Sequence, residues 1–122
     1  MVITVEDLQN RFVEYNSLYF HNRLKMPRFK IGHWSYGSIH GSYRYTKKAE
    51  PLISIRDTKS LGWTDEKLKN ILVHEMLHYY MDRNRFLNFD SSAHLLIWQC
   101  LRIYMNLRYG LKITTYPPKS CS

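Results

Sequence analysis

The apolar positions of this chain follow two different periods. Between Val5 and Arg23, Leu8, Phe12, Tyr15, Leu18 and Tyr19 recur at three- and four-residue steps, which predicts a helix with one apolar face. Asn22 to Pro27 ends it. Phe29–Tyr36, Ser42–Tyr45 and Leu52–Arg56 are then short runs rich in aromatic or β-branched residues. Gly37, Gly41 and Pro51 separate them, and three strands are predicted. The helical period returns over about Asp65–Arg83, where Leu68, Ile71, Leu72, Glu75, Met76 and Tyr79 share a face. It returns again over Ser92–Tyr109, through Ile97, Trp98, Leu101, Tyr104, Met105 and Arg108. Beyond Gly110 a short extended piece, Lys112–Tyr116, precedes Pro117-Pro118 and a frayed end. The expected class is α+β: one helix, a small three-stranded sheet and two further helices, as one domain over residues 1–122 with 110–122 as an extended tail.

Polar residues that interrupt an apolar face carry the chemistry. His74-Glu75-Met76-Leu77-His78 reads H-E-x-x-H in the middle of the second helix. Residues four apart lie one turn apart on the same face, so His74 and His78 can reach one metal ion. Glu75 stands beside them and can meet water on that metal without being a ligand. The local context supports a helix here, since Thr64 can cap it and Asp65 and Glu66 occupy its first turn. A Glu on a buried face is costly unless it is paired or serves a site. The plain alternative is a surface helix with two unrelated histidines. A catalytic zinc takes a third protein ligand and leaves one position open. His94 fits, because Ser91 or Ser92 can cap the next helix and His94 shares a face with Trp98 and Leu101. Its alternative is a core histidine satisfied by a backbone carbonyl. His21, His33 and His40 read as surface or loop residues.

The chain resembles the SprT-like domain, the metallopeptidase domain of bacterial SprT proteins and the Spartan protease, over nearly its whole length. Tyr15-Asn16-Ser17-Leu18-Tyr19-Phe20, with Asn22 and Leu24, is similar to the family's first helix. Ile31 to Ser35, Gly41-Ser42-Tyr43 and Ile53-Ser54-Ile55 resemble its three strands. His74-Glu75-Met76-Leu77-His78-Tyr79-Tyr80 resembles its zinc helix, His94 with Trp98 its third ligand and following aromatic, and Tyr109-Gly110-Leu111-Lys112-Ile113 its closing segment. The resemblance implies a zincin-like minimal metallopeptidase fold and one zinc per chain. Two features depart from the family. Leu95 stands where a Gly commonly follows the third ligand, and the resemblance implies that its larger side chain would narrow the approach to the metal. Cys100 and Cys121 are the only cysteines and have no C-x-x-C spacing, so the separate zinc ribbon of many bacterial relatives is not expected.

Composition narrows the partners. The formal net charge is +8, which favours polyanions. No acid occurs between Glu14 and Glu50, whereas Arg23, Lys25, Arg28, Lys30, Arg44, Lys47 and Lys48 all do, interleaved with Phe29, Trp34, Tyr36, Tyr43 and Tyr45. Basic groups hold phosphates and exposed aromatics stack on unpaired bases, so Lys47, Lys48, Arg44, Arg28 and Lys30 are candidate nucleic-acid contacts. The competing reading is a solvated basic face with core-facing aromatics. Lys47 and Lys48 are placed first among phosphate partners because they precede a turn expected at Pro51. Glu6, Asp7 and Glu14 near the start argue against a secretory signal, and no run is long enough to span a bilayer. Two cysteines form no disulfide framework, and Cys100 is expected as a small buried thiol. A cytoplasmic, reducing setting follows.

Three functions are compatible with this sequence. The first is a zinc endopeptidase acting on proteins at or near DNA, with His74, His78 and His94 as ligands and Glu75 as general base. The others are a DNA-binding metalloprotein without proteolysis, and a peptidase for one regulatory protein indifferent to DNA. Tyr43, Tyr79 and Tyr109 are open candidates for a second oxyanion donor.

Overall fold

The computed structural model describes residues 3–32, 41–46, 49–56, 64–84 and 91–114; at 45, 46, 49, 50, 82–84 and 91–95 it describes the backbone alone. Helix α1 runs Val5–Tyr19, strand β1 Arg28–Gly32, β2 Gly41–Thr46, β3 Ala49–Arg56, helix α2 Asp65–Asn84 and α3 Ser91–Tyr109. The described residues therefore form an α+β fold of three helices and a three-stranded mixed sheet. None of the described helices is long and apolar enough to cross a membrane.

Helix α1 starts where Thr4 Oγ1 accepts the Asp7 N–H at 3.0 Å, a side-chain cap. It ends at Tyr19, short of the expected Arg23. His21 and Asn22 both take positive φ, 54° and 59°, which no helix can continue. Asn16 holds this ending in place. Its backbone carbonyl accepts the N–H groups of Phe20 and Asn22. Its buried side chain donates to the Leu24 carbonyl at 2.8 Å and accepts the Leu24 N–H at 3.2 Å. Leu8, Phe12 and Tyr15 face the core as the periodicity requires, but Leu18 is exposed and Asn16 takes the inward place.

The sheet order is β1-β3-β2, with β1 parallel and β2 antiparallel to the central β3. Phe29, Ile53 and Tyr43 lie in one cross-strand row, and Ile31, Ile55 and Gly41 in another. These rows make the face covered by the helices, with Ile53 and Ile55 fully buried. Pro51, expected between strands, lies inside β3. Register slips there: Arg44 pairs with Leu52 but Thr46 with Ala49, so the proline sits at a bulge, and pairing with β1 begins only at Leu52. β2 ends at Thr46 and β3 begins at Ala49, so Pro51 is not the break between them.

Helix α2 is the centre of the molecule. Thr64 Oγ1 accepts the Lys67 N–H at 3.1 Å, the expected cap. Leu68, Leu72, Val73, Met76, Leu77 and Met81 are all buried, so α2 is enclosed around most of its circumference. It packs on β2 and β3 on one side and on α1 and α3 elsewhere. Arg11 of α1 reaches Asp65 at the start of α2 and also Asp7 at 3.2 Å, joining the two helices by charge. Cys100 is exposed on α3, against the expected buried thiol, because α3 turns Trp98 and Met105 inward and leaves the Cys100 side outward. Residues 110–114 form no strand. They run along α3 with Leu111 and Ile113 buried, so the expected tail is docked at least as far as Thr114; its remainder, with Pro117-Pro118, lies outside the described residues.

Candidate metal centre

The middle of α2 carries the H-E-x-x-H pentad, and both of its histidine rings lie on the side of the helix that meets α3. Their ring centroids are 5.0 Å apart. Trp98 of α3 packs against both, 4.6 Å from His74 and 4.8 Å from His78, lying nearly parallel to His78 at 12°. Trp98 is buried, and its indole N–H has no hydrogen-bond partner among the described residues. His74 is 1% exposed and Glu75 0%, whereas His78 is half-buried.

His74 has a fixed orientation. Its Nδ1 lies 2.9 Å from the carbonyl oxygen of Thr114. A carbonyl can only accept, so Nδ1 carries the proton and donates it. Burial pushes the His74 imidazole down to about 4; the Thr114 hydrogen bond opposes that shift and nearby Arg102 adds to it. His74 is therefore neutral at ordinary pH, the form that ligates a metal.

Glu75 is the anomaly of the core. Neither carboxylate oxygen has a hydrogen-bond partner among the described residues, and Oε1 lies 3.8 Å from His74 Nε2. Burial raises the Glu75 pKa well above the usual carboxylate range. With both groups driven toward their neutral forms, the 3.8 Å approach is no ion pair. A buried carboxyl without a partner costs a few kcal/mol. A cation beside it reverses the sign, stabilising the carboxylate that burial disfavours. The neutral imidazole of His74 and the imidazole of His78 one turn on, with a carboxyl next to them that has no hydrogen-bond partner among the described residues, are the residue types of a zinc site. Gly41 of β2 makes room for this carboxyl. A Cβ there would lie 3.1 Å from Ile71 Cγ2, 3.3 Å from Ile55 Cδ1 and 3.4 Å from Glu75 Cγ.

Of the site residues expected from sequence, His74, Glu75 and His78 are brought together. His94 belongs to α3, one turn before Trp98, and its side chain lies outside the described residues. Among the described residues no group of three His, Cys, Asp or Glu side chains is placed so that all three could hold one metal ion. Of the tyrosine candidates, Tyr79 has its hydroxyl engaged elsewhere, and the other two are described by their ring contacts. Tyr79 Oη donates to the Lys25 carbonyl at 2.9 Å, Tyr43 stacks on Tyr79 at 5.6 Å, and Tyr109 packs edge-on against Tyr19 at 5.1 Å. Two contributors escape the sequence pattern. Gly41 reads there as a separator, and Thr114 acts through its backbone, forty residues from His74.

The basic candidates divide. Lys47 and Lys48 lie outside the described residues. Arg28, Lys30 and Arg44 are exposed, and register puts all three on the sheet face opposite the helices: Arg28 and Arg44 flank Leu52, and Lys30 pairs with Ser54. Trp34, Tyr36 and the Tyr45 side chain lie outside the described residues, and the two interleaved aromatics that are described do not accompany the basic groups. Tyr43 is buried and Phe29 packs edge-on against Phe12 at 5.9 Å, both on the helix-covered side. A scan of the sequence against protein-family models gives no match, and neither does comparison with curated proteins.

Proposed function

We propose that the chain is a zinc-dependent endopeptidase of the SprT-like, zincin-like kind, holding one zinc through His74, His78 and His94. The observation that carries this reading is Glu75: a fully buried carboxyl with no hydrogen-bond partner among the described residues, next to a neutral imidazole held with Nε2 unprotonated. A structural zinc has no use for such a group, whereas hydrolysis needs a base at that place. When bound, zinc supplies Lewis acidity, making water a stronger acid and polarising a peptide carbonyl.

The chain's own residues do the remainder. Glu75 takes a proton from the attacking water and returns it to the departing amine. Trp98 covers both histidine rings and excludes bulk water from their flank. Gly41 brings β2, an edge strand of the described sheet, against Glu75, so an extended peptide has a backbone edge to lie along beside the base.

The substrate reading is a protein at or near DNA. Its support is the outer sheet face with Arg28, Lys30 and Arg44. With Tyr43 buried and Phe29 partly buried on the other face, the reading is one of phosphate contact by Arg28, Lys30 and Arg44, independent of sequence. The deciding experiment is cleavage of an unstructured protein by wild type and Glu75→Gln, each with and without single-stranded DNA. Cleavage by wild type alone, stimulated by DNA, is expected. DNA binding without cleavage marks a non-proteolytic metalloprotein, and cleavage indifferent to DNA marks a peptidase for a separate regulatory protein.

A further inference from the structure

The segment after α3 is held by polar side chains of α2 and α3, Asn106 foremost. Gly110, at φ 67°, turns the chain out of the helix, as a left-handed residue past a helix end does. Leu111 and Ile113 are buried and anchor the run that follows. Asn106, in the last turn of α3, holds residue 113 from both sides. Its Oδ1 accepts the Ile113 N–H at 2.9 Å and its Nδ2 donates to the Ile113 carbonyl at 3.0 Å. Arg102 adds a second donor to that carbonyl at 3.2 Å. On the α2 side, Asn70 Oδ1 accepts the Lys112 N–H at 3.1 Å. The next carbonyl along the chain, that of Thr114, receives the proton of His74 Nδ1.

This arrangement exceeds what holding down a chain end requires. Two buried apolar anchors already dock the segment, yet both polar groups of residue 113 are also fixed by side chains. Both peptide planes that meet at Ile113 are thereby fixed and set where Thr114 begins; its carbonyl, one plane further on, is the acceptor for His74 Nδ1. In a neutral imidazole only one nitrogen has a free lone pair. We infer that Asn106, assisted by Arg102, is a positioning residue that sets His74 in its Nδ1–H form and presents Nε2 as the metal-binding nitrogen. The inference rests on the metal reading of the H-E-x-x-H pair. Partners in this outer position typically change metal affinity by about 10–100-fold.

The test uses the full chain and two readouts. Long-range 1H–15N correlation spectra of the metal-free protein report which His74 nitrogen bears the proton. Competition with a chromophoric chelator reports zinc affinity. Wild type should show His74 protonated at Nδ1. Asn106→Ala should mix the two forms at His74, leave His78 unchanged, and weaken zinc binding by about 10–100-fold. Asn106→Asp keeps the acceptor for Ile113 N–H and loses the donor; it should move both readouts the same way by less, and it stands in if Asn106→Ala does not fold. Leu107→Ala, on the exposed side of the same turn, should match wild type in both. A folded Asn106 variant with the wild-type tautomer, or with a shifted tautomer and wild-type zinc affinity, overturns the positioning role. Wild type with the Nδ1–H form but no zinc affinity overturns the metal reading instead.

Discussion

Glu75 and His74 give the metal-free protein two opposed pH dependences. The folded His74 pKa, about 4, lies below its ordinary 6.5, so the unfolded chain binds the proton first as pH falls. Stability contributed at this residue is complete above pH 6.5 and is lost between 6.5 and 4, on the order of 3 kcal/mol. The Glu75 pKa is raised, so its contribution is present below about 4.5 and declines as pH rises toward its folded value. Glu75→Gln removes the second trend. Urea unfolding with a chelator present, between pH 4 and 7, should show this variant gaining on wild type by up to about 1.4 kcal/mol per pH unit above 4.5. It should also retain zinc and lose peptide cleavage. A parallel pH profile for the two proteins would mean that Glu75 is not desolvated in solution. At this scale the sequence is informative because the pentad is local: spacing on one helix is enough to bring His74, Glu75 and His78 together. Thr114 is invisible in it, since its contribution is a backbone carbonyl brought in by tertiary folding.

Elements are legible in number and order but not at their ends. Among the described residues, periodicity places three helices and three strands in the observed order, yet it carries α1 on to Arg23 because no Gly or Pro falls between Tyr19 and Pro27. The stop comes from Asn16, whose amide captures Leu24. Asn16→Ala should cost about 2–3 kcal/mol in chemical denaturation, since it leaves the buried Leu24 N–H and carbonyl unpaired. Asn16→Ala at wild-type stability would mean that water replaces the amide. Pro51 reads as a break because proline lacks the donor a strand needs, and a bulge in β3 removes that need. Gly41 marks close contact between β2 and α2. Gly41→Val should cost about 1–3 kcal/mol through overpacking against Ile71, Ile55 and Glu75, read by the same denaturation experiment. Unchanged stability would place β2 farther from α2.

Across the whole molecule the sheet separates two chemistries. One face lies under α1 and α2, the second of which bears His74 and His78, and the other carries Arg28, Lys30 and Arg44. Changing these three to Glu should weaken single-stranded DNA binding equally for unrelated sequences. The log–log salt slope should become shallower by about 0.7 for each phosphate no longer neutralised, while zinc content stays the same. Fluorescence anisotropy over a salt series reads the affinity and the slope, and an unchanged slope would reduce this face to solvated charge. Composition reveals the net charge but not its grouping, which depends on β1 lying beside β3 instead of its sequence neighbour β2. The Thr114 hydrogen bond has a consequence for synthesis. The pentad leaves the ribosome about forty residues ahead of the carbonyl that orients His74. A nascent chain halted anywhere from residue 79 to 113 therefore contains the complete H-E-x-x-H signature without the carbonyl that orients its first imidazole, a motif that has been translated before its site exists.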